Sequence, residues 1–339
     1  MKFCEIAKIT MGQSPKSESY NNNGVGLPFL QGRTTFGRIY PFFDTWTTQY
    51  NKTAQKGDIL FTVRAPVGDI NIANRDIAIG RGIAAITGIN NISNKYLFYL
   101  IEGNKSKFIE SSVGTIYDSI NRDELENVNL NVHDSNTQQH IVDSIGSVDD
   151  AIEKNEEIIS KLEAYADKYY NIYVNIGSNE TMKLGDCVNI VTGKLNANAS
   201  SENGQYKFFT CSHEDLKIDT YSFDCEAIIL SGNGEIEVKY YKGKFDAYQR
   251  TYVLCPNKYF FLFLIELKRQ ISNLKSSSQG SVIKFITKGM IENITIKINN
   301  QSSQYNDNIS KLYRYAHFLK NKNQIYKQIK QKLLKLYFN

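Results

Sequence analysis

Residues with the chemistry of a catalyst are few and poorly spaced. Asp224, Glu237 and Lys239 form a loose D…E-x-K pattern. In a metal-dependent nuclease, two carboxylates and a lysine of this kind bind Mg²⁺ and activate water. E-x-K arises often by chance, and the first half of the chain lacks acids at matching places. There is no Asn/Asp-Pro-Pro-Tyr motif, and no Gly-rich loop follows a strand and opens a helix, as an S-adenosylmethionine or nucleotide site needs. His133, His140, His213 and His317 are scattered and suggest neither a triad nor a metal cluster. Cys4, Cys187, Cys211, Cys225 and Cys255 are odd in number and contain no C-x-x-C pair. That usage argues against a disulfide framework or a zinc site and for a reducing cytoplasm. The opening MKFCEIAKIT has no apolar signal region, and the longest strongly apolar run, Phe260 to Ile265, is too short to span a bilayer. What is left is binding chemistry, and its meaning depends on the elements that carry it.

The clearest element runs from Gln138 to Tyr173. It has no Pro, and apolar residues recur at Ile141, Ile145, Val148, Ile152, Ile159, Leu162, Ala166, Tyr169 and Tyr173. The steps of three and four, with Asn155 in the one missing place, predict a helix of about 55 Å that packs along another helix. Around it the chain repeats. LPFLQG at Leu27 matches YKFFTCS at Tyr206, and GDILFTVRAPVG at Gly57 matches CEAIILSGNG at Cys225. NKYLFYLI at Asn94 matches NKYFFLFLI at Asn257. SSVGTIYDSINRDELENVNLNV at Ser111 matches SSQGSVIKFITKGMIENITIKI at Ser277, pairing Ile120 with Ile286 and Val128 with Ile294. This is duplication of a whole domain. It predicts a second helix, and Tyr305–Phe338 supplies one, with Ile309, Leu312, Ala316, Leu319, Tyr326, Ile329, Leu333 and Leu336 on its seam and Asn323 where Asn155 falls in the first.

The expected domains are 1–136, a mixture of short strands with a helix over Asn94–Ile109 and a last strand over Glu124–Val132; the helix 137–178; a second such domain, 179–299; and the helix 300–339. The fold class is α+β, two duplicated sheet-containing domains separated by a long antiparallel two-helix coiled coil. Charge supports the pairing. Residues 137–178 hold three basic and eight acidic side chains, residues 300–339 eight basic and one acidic, while the two domains are nearly neutral.

At GDILFTVRAPVGDINIANRDIAIGRGIAAI (Gly57–Ile86) the chain resembles the specificity subunit of type I restriction-modification systems. The likeness continues through SSVGTIYDSINRDELENVNL and QQHIVDSIGSVDDAIEKNEEIISKLE. ILSGNGEIEVKYYKGKFDAYQRTYVL (Ile228–Leu254) resembles another subclass of the same target recognition domain, with Ser231-Gly232-Asn233-Gly234 in place of R-A-P-V-G. The resemblance implies two target recognition domains, each reading one half of a split double-stranded DNA sequence. It implies that the helices set the spacing and bind two methyltransferase subunits, which support restriction subunits. It also implies a cytoplasmic subunit with no membrane contact, no catalysis and no cofactor of its own; S-adenosylmethionine, ATP and Mg would belong to the partners.

On that resemblance the side chains fall into place as DNA contacts. Lys and Arg neutralise phosphates; Arg, Gln and Asn make paired hydrogen bonds to base edges. In the first domain these are Gln31, Arg33, Thr34, Thr35 and Arg38, then Arg64 and Arg81 beside glycines, with Ser112 and Thr115 in a small polar loop. In the second they are Lys194, Ser231, Asn233, Lys242, Lys244, Tyr248, Gln249 and Arg250, with Ser278 and Gln279 in the matching loop. Each has a plainer alternative. Arg64 and Arg81 could tie loops together, and Tyr248-Gln249-Arg250 could be a strand whose alternate residues face solvent. A helical scaffold that binds protein alone explains the rod but not two duplicated domains with polar loops.

Overall fold

The computed structural model describes residues 1–111, 119–177, 180–277 and 285–338, with side chains other than those of 273–277. Contacts divide the chain into two units, Met1–Ile152 with Ile325–Asn339, and Glu153–Gln324. Two long helices, Ser135–Asn175 and Ser302–Phe338, each contribute a segment to both.

In the first unit, strands Ala7–Met11, Ile83–Gly88, Ile59–Thr62 and Ile70–Ile72 lie side by side in that order, all antiparallel. Ile59–Thr62 lacks alternation because it is covered on both faces: Ile59 and Phe61 enter one core, Leu60 another. A second, five-stranded sheet contains Leu27–Leu30, paired in parallel with Ile77–Ile79.

The helix at Asn94 starts where Ser93 accepts a hydrogen bond from the Tyr96 amide. It buries Tyr96, Leu97, Leu100 and Ile101. The expected single helix to Ile109 is two, Asn94–Gly103 and Lys105–Glu110, because the buried Asn104 turns its side-chain amide back onto the Leu100 carbonyl. The expected strand over Glu124–Val132 begins instead as a short helix, Arg122–Glu126, fixed by a capping box between Asn121 and Glu124.

In the second unit a six-stranded sheet has the order Val191–Thr192, Thr251–Leu254, Phe223–Ser231, Val238–Ala247, Tyr206–Phe209, Leu216–Ile218. Only Tyr206–Phe209 with Val238–Ala247 is parallel. Gly243, at φ +137°, occupies a conformation that favours glycine. Beyond it Phe245 and Ala247 join Phe209, Ala227, Ile229 and Val253 in a small core. The larger core lies against helix Phe260–Ser277 and both long helices. Thr287 caps helix Lys288–Glu292, at the position equivalent to Asn121.

Within each unit the long helices run antiparallel. In the first, Asp149 meets Lys330 and His140 meets Tyr337. In the second, Asn155 meets Asn323, Glu163 meets Lys320 and Tyr169 meets Asn308. The seam follows Ile141, Ile145, Ile152, Ile159 and Ala166 on one helix and Ile309, Ala316, Leu319 and Asn323 on the other. Its end departs from the expected line. Ile329 and Leu336 are exposed, at 39% and 73%, because the helix turns Lys330, Leu333, Leu334, Tyr337 and Phe338 inward. Phe338 lies so close to Gly103 that a Cβ there would sit 2.3 Å from the ring.

Candidate nucleic-acid interface

The first unit gathers four of the sequence candidates at one concavity of about 210 Å³, lined by Gln31, Arg33, Arg64 and Arg81 with Gly32, Thr62, Ala65 and Gly82. Glycines allow the close packing. A Cβ on Gly82 would lie 2.3 Å from the Gln31 carbonyl oxygen. Arg64 and Arg81 are exposed, and neither guanidinium has an ion pair among the described residues. Thr34 is exposed beside them.

Three neighbours have other employment. Arg33 bonds Asp69 at 2.8 Å, and Lys105 bonds the same carboxylate at 2.6 Å. Thr35 is 6% exposed inside a 3₁₀ turn, so its hydroxyl is withdrawn from the surface. Arg38 reaches the long helix, where its guanidinium bonds Asp149 at 3.0 Å. Asp149 is buried and also accepts from the Tyr99 hydroxyl and the Lys330 ammonium, at 3.1 and 2.9 Å. Lys330 bonds Glu102 as well, at 2.9 Å. Burial pushes the Glu102 carboxyl up, against the pull of Lys330. In this structure Thr35 is thus buried and Arg38 is engaged with the long helix.

In the second unit, Lys194, Asn233, Tyr248, Gln249 and Arg250 meet at one end of the sheet. The Gln249 amide donates to the Leu195 carbonyl at 3.0 Å, and Gly232 donates to Arg250 at 2.8 Å. Tyr248-Gln249-Arg250 is a turn between two strands, not an alternating strand. Lys194, Gln249 and Arg250 are exposed and Asn233 is half-buried. Ser231 is 3% exposed and belongs to the core edge. Lys242 and Lys244 lie elsewhere, opposite Glu226 and Asp224 on the neighbouring strand, with Lys244 over the Tyr221 ring. Ser112, Thr115, Ser278 and Gln279 lie outside the described residues.

The two surfaces share one hydrogen-bonded frame. Gly80 donates to the Leu30 carbonyl as Tyr248 donates to Phe209; Gly12 donates to Ile83 as Gly193 donates to Thr251. Val63 donates to Gly82 as Gly232 donates to Arg250; Ile120 donates to Val63 as Ile286 donates to Gly232. The bridge between Arg64 and Ser119 repeats as that between Asn233 and Phe285. Arg64 therefore corresponds to Asn233, and Arg81 to Gln249. Sequence comparison missed this because the strings around them, R-A-P-V-G and S-G-N-G, differ in type and length.

It also missed the second unit's charged joint. Arg314, on the C-terminal helix, makes two bonds of 2.9 and 2.8 Å to Glu226, which also accepts from Tyr240. Burial raises the cost of ionising Glu226, but Arg314 and Tyr240 outweigh it and hold the carboxyl below its usual range. No local signal marks such partners, which are far apart in sequence.

The nuclease pattern does not assemble. Lys239 stands opposite Ile229 and Asp224 opposite Lys244, five residues along the same strands, roughly 17 Å at ~3.3 Å per residue. Asp224 is thus the member left out: Lys239 keeps Glu237 at 3.6 Å but takes Asp215, at 2.8 Å, as its nearer carboxylate.

Duplicated α+β units with paired helices define the fold class. A solved structure of a type I restriction-modification S subunit from M. genitalium has the same fold, with a TM-score of 0.66 over 100% of this chain and 95% of that one, at 15% identity. The chain belongs to the type I restriction modification DNA specificity domain family, whose model matches residues 1–164 and 177–333. It is 37% identical over 166 residues to a putative type I restriction enzyme MjaX specificity subunit of Methanocaldococcus jannaschii, covering 49% of this chain and 39% of that protein. It is 42% identical over 127 residues to the type I restriction enzyme EcoDI specificity subunit of Escherichia coli, covering 37% of this chain and 28% of that protein. The chain thus spans less than half the length of either relative.

Proposed function

We propose that this chain is the DNA sequence-specificity subunit of a cytoplasmic type I restriction-modification complex, with no catalysis of its own. Residues 1–136 and 179–299 each read one half of a bipartite duplex target. The helices of 137–178 and 300–339 set the spacing and carry two methyltransferase subunits, to which restriction subunits attach. S-adenosylmethionine, ATP and Mg serve those partners. The observation that supports this best is the repeated frame, which presents Arg64 and Arg81 in one unit and Asn233 and Gln249 in the other. Such side chains pair with base edges, while Lys194 and Arg250 suit phosphates.

The helices add support for partners. Tyr315, Phe318, Ile325, Ile329 and Leu336 are exposed on the C-terminal helix. At 3.6 residues per turn all five share one side of that helix, away from its buried seam. A stripe of this kind suits a helix of another subunit.

Binding to random duplex DNA at increasing salt, with and without methyltransferase subunits, tests the reading. Affinity that falls steeply with salt in the assembled state is expected. No salt-sensitive binding in either state contradicts it.

A further inference from the structure

We infer that the two reading surfaces differ in base preference, the first taking guanine through Arg64 and Arg81 and the second adenine through Asn233 and Gln249. The inference deepens the DNA-reading function proposed above and rests on it. Its basis is the exchange of chemistry within a constant frame. Four backbone hydrogen bonds and one bridge recur in both units, so the four side chains leave equivalent backbone positions. A further contact agrees: the Arg81 backbone amide donates to the Ser14 hydroxyl, and the Gln249 backbone amide to the Leu195 carbonyl.

At both positions a guanidinium in the first unit is replaced by a carboxamide in the second. A guanidinium has only donors, and the guanine edge in the major groove offers two acceptors, N7 and O6. A carboxamide has a donor and an acceptor, and adenine offers N7 to accept and its N6 amino group to donate. Against adenine, an arginine would bring a donor onto the amino group; against guanine, a carboxamide oxygen would face O6. The mismatch penalises the wrong base in each unit. Arg64, Arg81 and Gln249 are exposed and Asn233 is half-buried, so the groups are presented where a groove could receive them.

The test uses the full chain assembled with methyltransferase subunits, and reads methylated positions by sequencing DNA from cells that carry the complex. Arg64→Asn and Arg81→Gln form one arm, Asn233→Arg and Gln249→Arg the other. In the first arm, preference for a guanine in one half-site should fall by about tenfold or more. In the second, preference for an adenine in the other half-site should fall likewise. The untouched half-site in each arm reports that the variant has folded; a variant that methylates nowhere is replaced by the alanine form and judged in the same way. The inference is overturned if the first arm changes no guanine, if the second changes no adenine, or if either arm alters the opposite half-site. Failure of the DNA-reading function would look different, because the unsubstituted chain would then direct no bipartite methylation.

Discussion

Asn155 donates its side-chain amide to the Asn323 side-chain oxygen at 2.7 Å, inside the seam between the long helices. The two residues are also equivalent in the duplication, each following a lysine, Lys154 and Lys322. A polar pair in an apolar seam is satisfied in one register and stranded in others, so it selects alignment at a cost in stability. Asn155→Leu is expected to destabilise the helix pair by about 1–3 kcal/mol, because Asn323 is buried and loses this partner. The double change Asn155→Leu with Asn323→Leu should recover most of that loss or exceed the original stability. Urea unfolding of the three proteins checks the order; a double variant less stable than the single one would contradict it.

Asp149 joins the Arg38 loop and Tyr99 to both long helices through three donors, and Arg314 fastens the second unit's sheet to its helix through Glu226. The Asp149 side chain is only 5% exposed, so Asp149→Ala leaves two partly buried cations short of a partner and should cost about 3 kcal/mol. Glu226→Ala, whose pair is more exposed, should cost about 1 kcal/mol. Equal midpoint shifts for the two in urea would contradict this ranking.

The two joints also show where sequence reading stops. Helices, duplication and family motif were legible because periodicity and repeated strings are local. Arg38 was a candidate DNA contact because its type and its loop fit that role; only folding reveals that Asp149, 111 residues away, takes it. Thr35 and Ser231 fit by type too, but are withdrawn by burial. The expected seam matches the structure in the middle and again at Leu333, but a fixed step of three and four carries Ile329 and Leu336 inward, where the helix turns Lys330, Tyr337 and Phe338 instead.

Arg250 and Lys242 differ in their surroundings. Arg250 belongs to the turn that carries Gln249; Lys242 stands out on the strand among the acids of its neighbour. Arg250→Ala should weaken DNA binding by the assembled complex by about 1–3 kcal/mol and lower its salt dependence by about one ion, whereas Lys242→Ala should change affinity by less than about 0.5 kcal/mol. Fluorescence anisotropy at several salt concentrations measures both.

The exposed stripe on the C-terminal helix gives a prediction about partners. Phe318→Ser with Ile325→Ser should leave the chain's thermal midpoint nearly unchanged, since both side chains already face water. It should markedly reduce recovery of methyltransferase subunits with the chain. Full recovery of the complex would remove this face from the assembly.

His317 makes the second unit sensitive to acid. Burial among Tyr240 and Tyr241 holds its pKa below the ordinary 6.5. The unfolded chain therefore takes up a proton near pH 6.5 that the folded chain refuses, and stability falls as pH drops through that range. Asp215 acts in the same direction at lower pH. Burial opposes its ionisation, but Lys207 and Lys239 outweigh burial and depress its pKa, so its contribution is present above the unfolded value and lost below. His317→Phe should flatten the decline in urea midpoint between about pH 7 and pH 5; an unchanged slope would show that His317 does not govern it.

Selection of a split DNA sequence for partner enzymes is tested most directly by mapping methylated adenines and cytosines in DNA from cells that carry the methyltransferase subunits, with and without this chain. The expected result is methylation that appears only with the chain and falls at one bipartite sequence with a fixed gap. Methylation at the same positions without the chain, or at one uninterrupted sequence, would contradict it.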